Sequence, residues 1–225
     1  MFEDLFKFVD KELYVRSGSV FYTGRNAFRP HNRPGLYVLG LNPGGNPADL
    51  ACGSISSNME SYRTSIPAEW SAYVDEHWAG GSGPNDPPRY SPMQIRVQHL
   101  FSRIERDIRM TPASNIAFER TANAATLEDS ADLFRRCWPV HQAVIEGLQI
   151  PLVVCLGGTA GAWVREKLEA TQEVGSFVEN NNRRWTSLAH RNAGGLHVLT
   201  LTHPSRADWT SESADPTPFV KTFVQ

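Results

Sequence analysis

The sequence predicts an α/β fold of three layers, α/β/α, around a central four-stranded, mostly parallel sheet. Four short apolar runs with strand-forming residues lie at 36–41, 113–121, 150–156 and 196–202, and stretches of helical spacing separate them. Continuous apolar runs are typical of parallel strands that are covered on both faces, and alternation with helices is the α/β pattern. With 225 residues, of which 40% are hydrophobic and 20% charged, the chain is long enough to bury one substantial core.

The spacing of apolar residues also predicts the helices. They cover 2–15, 93–110, 128–148 and 157–168. Residues near 184–190 are typical of an edge strand or of one arm of a hairpin. Regular periodicity fades between 45 and 92, which indicates a long loop with one or two short helices. We therefore expect a single domain over 1–225 with an irregular insertion at about 45–92, and a connection of that length is usually functional.

Charge and cysteine content exclude several classes of protein. Lys and Arg number 22 against 24 Asp and Glu, which leaves a formal charge of −2. A protein that coats DNA by bulk electrostatics would carry a basic excess, so a nucleic-acid role here requires a local patch and a shaped pocket. No apolar run approaches the ~20 residues of a membrane helix, and the opening segment lacks the features of a secretory signal. Three scattered cysteines predict no disulfide framework or metal cluster and indicate a reducing, cytoplasmic location.

The predicted sheet also indicates where a ligand would bind. Ligands of open parallel sheets lie in the loops beyond the carboxyl ends of the strands. The residues in those loops are 42–44, 115–120, 157–159 and 203–205. Residues 42 and 203 are 161 positions apart in the chain, and we expect the sheet to bring them to one pocket.

The first motif is GLNPGG at 40–45, directly after a predicted strand. The amide of Asn42 can donate and accept hydrogen bonds, and Pro43 stiffens the turn. Gly44 and Gly45 allow main-chain N–H groups to approach a ligand closely. The alternative is a turn with a structural asparagine, because Asn-Pro-Gly clusters are frequent turn formers.

The second motif is THPSR at 202–206, after the last apolar strand. An imidazole at His203, held on a stiff turn, can donate to a developing anion or move a proton near neutral pH. The alternative is a surface turn with an incidental histidine.

Taken together and in this order, the two motifs resemble those of the uracil-DNA glycosylase superfamily. GLNPG is similar to the asparagine-type first motif of the mismatch-specific and single-strand-selective branches, and HPSR resembles the second motif. Asn115 stands where the superfamily places its base-reading asparagine. The stretch VVCLGGTAGAWV at 153–164 resembles the next strand–turn–helix. The resemblance runs from about 34 to 209, except for the 45–92 segment.

The resemblance implies a monomeric DNA glycosylase of base excision repair, without metal or cofactor. It would hydrolyse the N-glycosidic bond of uracil or of a related damaged base after the nucleotide has left the stack. His203 would stabilise the departing uracil anion, Asn42 would orient the water, and Asn115 would bind the uracil edge. Ser205 and Arg206 would hold the DNA backbone. The remaining substrate-binding residues implied are Gly40, Leu41, Pro43, Gly44 and Gly45.

Two features of that superfamily are missing from the corresponding positions. No aromatic residue follows the first motif closely, the nearest being Tyr62, and Arg206 and Trp209 stand where an apolar wedge is expected. A second hypothesis is therefore a catalytically silent domain of the same fold that binds a nucleotide, a modified base or a partner protein. A third is an enzyme that acts on free nucleosides.

Overall fold

The computed structural model describes residues 2–32, 34–48, 53–78, 91–122, 127 and 130–224. Its strands are β1 (Tyr37–Gly40), β2 (Ala113–Asn115), β3 (Leu152–Leu156), β4 (Gln172–Val178), β5 (Thr186–Arg191) and β6 (His197–Leu201). Within these residues they form a six-stranded sheet in the order β2-β1-β3-β6-β5-β4.

Four of the strands make a parallel half-sheet. β1 pairs in parallel with both β2 and β3, and β3 pairs in parallel with β6. These are the four apolar runs that the sequence predicted as strands. Every residue of β1 and β3 is buried, as expected for central strands covered on both faces. The α/β class and the parallel arrangement are therefore confirmed.

The predicted number of strands was wrong, because the sheet of the described chain has six strands and not four. β5 pairs antiparallel with β6 on one side and with β4 on the other. The segment predicted near 184–190 is thus one arm of a hairpin, and β4 forms the edge. Four of the seven residues of β4 are exposed and the other three are only half-buried, so the strand has no continuous apolar face.

Helices cover both faces of the sheet. They are α1 (Phe2–Leu5), α2 (Ile55–Thr64), α3 (Ala72–Asp75), α4 (Pro92–Arg103), α5 (Ser130–Leu148), α6 (Gly158–Lys167) and α7 (Thr217–Lys221). Tyr37 and Leu39 point into a core shared with α1, α2, α5 and α6. Val38, between them, points into a second core shared with α3, α4 and α7. No helix of the described chain combines the length and the apolar character that a membrane span needs.

Two predicted helices are shorter than expected. α4 begins at a capping box, in which the Ser91 hydroxyl accepts from the Gln94 N–H at 3.2 Å, and it ends at Arg103 because Glu105 adopts a left-handed φ of 57°. The predicted helix over 2–15 ends at Leu5 and continues as separate 3₁₀ turns. Val9 is extended there, and the Asp10 carboxylate accepts from the Glu12 N–H at 3.0 Å to start the next turn.

The 45–92 segment contains α2 and α3 in its described part, in agreement with the one or two short helices expected. An extended segment near residue 21 pairs with β2. Phe21 forms a bridge with Ser114, and the Tyr22 N–H donates to the Ala113 carbonyl at 2.8 Å. This pairing sets Tyr22 beside the end of β2.

Candidate functional site

The predicted site residues follow neighbouring parallel strands at one edge of the sheet. This edge is the one formed by the carboxyl ends of β1, β2, β3 and β6. Gly40, the last residue of β1, pairs with Asn115, the last residue of β2. Gly157 follows β3, and its N–H donates to the carbonyl of Leu201 at the end of β6, two residues before His203. Neighbouring strands lie about 4.8 Å apart, so β1 and β6, with β3 between them, are separated by about 10 Å.

Asn115 carries a buried polar atom that forms no well-aligned hydrogen bond. The residue is 6% exposed, and its Nδ2 meets no acceptor at hydrogen-bonding geometry, although the Tyr22 hydroxyl is near enough for the amide to affect its pKa. A Cβ at position 40 would overlap Asn115 Oδ1, so the carboxamide lies in space that only a glycine leaves open. A buried donor without an acceptor costs about 1–3 kcal/mol, and a ligand that offers an acceptor would recover part of that cost.

Tyr22 lies beside this amide. Its ring centroid is 5.9 Å from those of Tyr73 and Trp78, with an edge-on packing of 80° against Trp78. Burial, followed by the charge of Glu76, raises the pKa of Tyr22 to about 12, while the Arg120 charge and the Asn115 amide oppose that rise. Tyr22 therefore keeps its proton at neutral pH and offers an aromatic ring and a hydroxyl to the site.

The amide of Asn42 is held in one orientation. Its Nδ2 donates to Thr121 Oγ1 at 2.8 Å, to the Pro43 carbonyl at 3.0 Å and to the Glu119 carbonyl at 3.4 Å. Since main-chain carbonyls only accept, the nitrogen must face them and the oxygen must face away. None of the described residues donates to Oδ1, which is left to accept from a water or a ligand.

The other residues of the first motif divide into two groups. The carbonyls of Leu41 and Pro43 accept from the N–H groups of Ala117 (2.9 Å) and Thr121 (3.1 Å), so both residues build the turn. Gly44 and Gly45 are exposed. A Cβ on Gly44 would meet nothing within 4 Å, whereas Gly45 has a φ of +116° that side chains rarely adopt.

His203 presents a neutral imidazole. The Ser205 N–H donates to Nδ1 at 3.1 Å, and Ser205 Oγ lies 2.7 Å from the same atom. An atom that accepts from a main-chain N–H carries no proton itself, so the proton of the neutral ring is on Nε2. Burial, and then the positive charge of Arg206, lower the pKa of His203. The ring packs on Gly157, where a Cβ would stand 3.3 Å from Cδ2.

The turn that carries His203 is anchored from α4. Arg96 Nη1 donates to the Pro204 carbonyl at 2.7 Å, and Arg96 Nε pairs with Asp208 at 3.2 Å. Ser205 and Arg206 are exposed beside this anchor.

The aromatic residues noted in the sequence lie elsewhere. Tyr62 is buried, and its hydroxyl donates to the Phe21 carbonyl at 2.6 Å within a core of aromatic rings. Trp209 is 0% exposed and belongs to the second core, so it cannot act as a wedge. The aromatic ring that the site does contain is Tyr22, which sequence reasoning missed although it lies in the strand-like run SVFYT at 19–23.

Two cavities lie at opposite ends of the parallel strands. The larger, of about 860 Å³, is lined by Gly35 and Pro151, which precede β1 and β3, so it opens at the opposite edge of the sheet. The other, of about 640 Å³, is lined in part by Arg120 and Thr121 and therefore flanks the Asn42 amide. In the described ranges no group of three His, Cys, Asp or Glu side chains could hold a metal ion.

In the comparisons with known proteins, no family model and no curated protein sequence matches the chain. The site itself contains a donor at Asn115, a donor at His203 Nε2, an acceptor at Asn42 Oδ1 and the ring of Tyr22. This set can recognise a flat polar ring and orient a water molecule.

Proposed function

We propose that the protein is a DNA glycosylase of the uracil-DNA glycosylase superfamily, which removes uracil or a related damaged base. The observation that carries the proposal is the buried Nδ2 of Asn115, which forms no well-aligned hydrogen bond and lies at the same end of the sheet as Asn42 and His203. Uracil offers an acceptor, O4, beside a donor, N3–H. A carboxamide pairs with both, Nδ2 donating to O4 and Oδ1 accepting from N3–H.

Cleavage of the N-glycosidic bond requires stabilisation of two developing charges. The bond from C1′ to the base breaks and its electron pair moves to the base, which leaves as an anion. A water oxygen attacks C1′, and one proton of that water passes to solvent, so that C1′ carries a hydroxyl. The Nε2–H of His203 would donate to O2 of the departing uracil anion, and a neutral donor placed in advance needs no proton transfer to do so. The lowered pKa of His203 keeps that ring neutral.

Asn42 would position the attacking water. Its Nδ2 is occupied by Thr121 and by the Pro43 and Glu119 carbonyls, so Oδ1 accepts a hydrogen bond from the water and orients it. An amide is a weak base, so we expect a slower enzyme than one with a carboxylate in this position. Tyr22 would supply a wall for the extruded base.

The experiment measures release of uracil, hypoxanthine and xanthine from labelled oligonucleotides, single-stranded and paired, including U·G and U·A. Asn42→Ala and His203→Ala should abolish release, because the water and the anion lose their partners. His31→Ala is the matched control, since His31 is exposed near the opposite edge. Absence of release by the unmodified protein on every substrate would refute the proposal.

The burial of Trp209 favours a second candidate, a domain of this fold that binds a base or a nucleotide without cleaving it. A glycosylase extrudes its target more easily when a side chain fills the gap in the stack, and Trp209 is unable to do so. Tight binding of free uracil or a nucleotide, with no strand product at stoichiometric protein, is the result that this candidate expects.

A further inference from the structure

The hairpin of β4 and β5 turns at residues 179–185, here called the hairpin tip, and this tip is attached to the His203 turn. Arg183 Nη1 donates to the Arg206 carbonyl at 2.7 Å. On the other side, the Asn180 N–H donates to the Ser213 carbonyl at 2.7 Å. The hairpin tip therefore lies at the edge of the sheet that carries the candidate site.

The surface formed there is basic. Arg183, Arg184 and Arg206 are exposed, and no carboxylate of the described residues forms an ion pair with any of the three. Burial, and then the charge of Arg206, lower the pKa of His203, so Arg206 lies near that imidazole. The guanidinium of Arg183 lies 4.9 Å from the ring centroid of Trp185, which holds it in place.

Two of the acidic residues nearby are engaged by other groups, and a third, Glu212 beside Ser213, is exposed. Glu179 is 1% exposed and accepts from Asn181 Nδ2 at 2.8 Å, so it faces inward. Asp208 pairs with Arg96 at 3.2 Å. The outward charge of the hairpin tip is therefore positive, although the protein as a whole carries −2.

Arg184 occupies a backbone position that suits glycine. Its φ is 51°, in the left-handed region, and the Asn181 side-chain oxygen accepts from the N–H groups of Arg183 at 2.9 Å and Arg184 at 3.3 Å to hold the turn. Residues other than glycine and asparagine are disfavoured in this backbone conformation. The Arg184 side chain forms no hydrogen bond, ion pair or ring contact with another described residue, so its exposed guanidinium is open to a partner from outside.

We propose that the hairpin tip binds the phosphodiester backbone of DNA, so that Arg183 and Arg184 together with Arg206 grip the strand whose nucleotide enters the site. Guanidinium groups donate in a fork that matches phosphate oxygens. The position of this contact along the DNA, next to a nucleotide in the site, rests on the proposed function. The contact with phosphate groups does not depend on it.

The test measures binding of labelled DNA that contains no damaged base, by fluorescence anisotropy, from about 50 to 200 mM salt. Each phosphate contact contributes roughly 0.9 to the slope of log affinity against log salt for duplex DNA and roughly 0.7 for single strands. The double variant Arg183→Gln, Arg184→Gly should lower that slope by roughly 1 to 2 and weaken binding roughly three- to tenfold at the lowest salt. Arg135→Gln, which removes an exposed arginine on α5, is the control and should leave the slope unchanged.

A second measurement separates binding from folding. Arg184→Gly alone relieves a left-handed backbone, so its melting temperature should not fall while its DNA affinity does. An unchanged salt slope in the double variant would overturn the proposal, as would equal binding of polyglutamate at matched charge. Uracil release by the unmodified protein, measured separately, reports on the glycosylase proposal alone, so either proposal can fail without the other.

Discussion

Asn115 is placed by the side chain that its neighbour lacks. Gly40 and Asn115 are paired across β1 and β2, and the carboxamide of the asparagine lies over the bare Cα of the glycine. Because the amide is buried, it has few other positions to adopt. The glycine of the first motif therefore acts on the candidate site through a neighbouring strand rather than through the ligand.

Gly40→Ala should displace that amide. A Cβ there overlaps Asn115 Oδ1, and overpacking of this kind costs about 1–3 kcal/mol. The variant should lose that amount of its free energy of unfolding in urea titrations, and it should lose affinity for a base. Gly44→Ala is the control for stability, since nothing lies within 4 Å of the added atom. Equal stability of the two variants would contradict the assignment.

Much of the site could be predicted from sequence because it follows a rule about strand ends. Asn42 and His203 come directly after apolar runs, and Asn115 ends the strand that forms at the start of the 113–121 run. Parallel strands bring such positions to one edge. Tyr22 and Thr121 could not be found in this way. Tyr22 reaches the site through isolated pairing with β2, and Thr121 through a contact with an amide 79 positions away, so neither leaves a periodic signal.

The strands and helices lie at the positions predicted from the sequence wherever at least one face of the element is apolar. Three of the four parallel strands and most of α4, α5 and α6 lie where apolar spacing predicted them, whereas β2 covers only Ala113–Asn115 of the predicted 113–121. β4 was missed because its sequence, QEVGSFV, alternates weakly around Gly175 and its residues stay exposed or half-buried. An edge strand of this kind is set by its pairing with β5, which is a tertiary property.

The packing of α6 on β6 depends on a second glycine. A Cβ on Gly161 would overlap the side chain of Thr200, whereas one on Gly158, in the same helix, meets nothing within 4 Å. Gly161→Ala should therefore cost about 1–3 kcal/mol in free energy of unfolding. Gly158→Ala should cost nothing and can add about 0.5 kcal/mol, because alanine favours the helix. Thermal or urea unfolding of the two variants measures the change in free energy of unfolding, which should have opposite signs. A loss of stability in both variants would count against this packing.

The core between α5 and the sheet contains a buried histidine that makes stability depend on pH. His141 of α5 is 0% exposed and lies 2.8 Å from the Tyr37 hydroxyl on β1 through Nδ1. Burial lowers its pKa to about 3, partly opposed by the main chain of Ile116 and Asn115. The folded chain therefore holds this ring neutral under conditions in which the unfolded chain would protonate it.

This arrangement predicts a stability that declines in mild acid. An unfolded histidine has a pKa near 6.5, so stability is complete above that pH and is lost as the pH falls toward 3. His141 alone should remove about 2 kcal/mol from the free energy of unfolding between pH 7 and pH 5. His190, His197 and His203 also have lowered pKa values and act in the same direction. Urea titrations of His141→Gln at both pH values should show a smaller decline, and an equal decline would exclude His141 as its source.

The sheet order has a consequence for the newly made chain. The amide of the first motif is synthesised 161 residues before the imidazole, and β3, which stands between their strands, is made in the interval. At a synthesis rate of ~5–20 residues per second, about 10–30 s separate the two groups. During that time the ribosome-bound polypeptide already exposes its Asn-Pro-Gly turn but has no histidine opposite it. Any chemistry that requires both groups is therefore silent until His203 has been made and β6 has paired with β3.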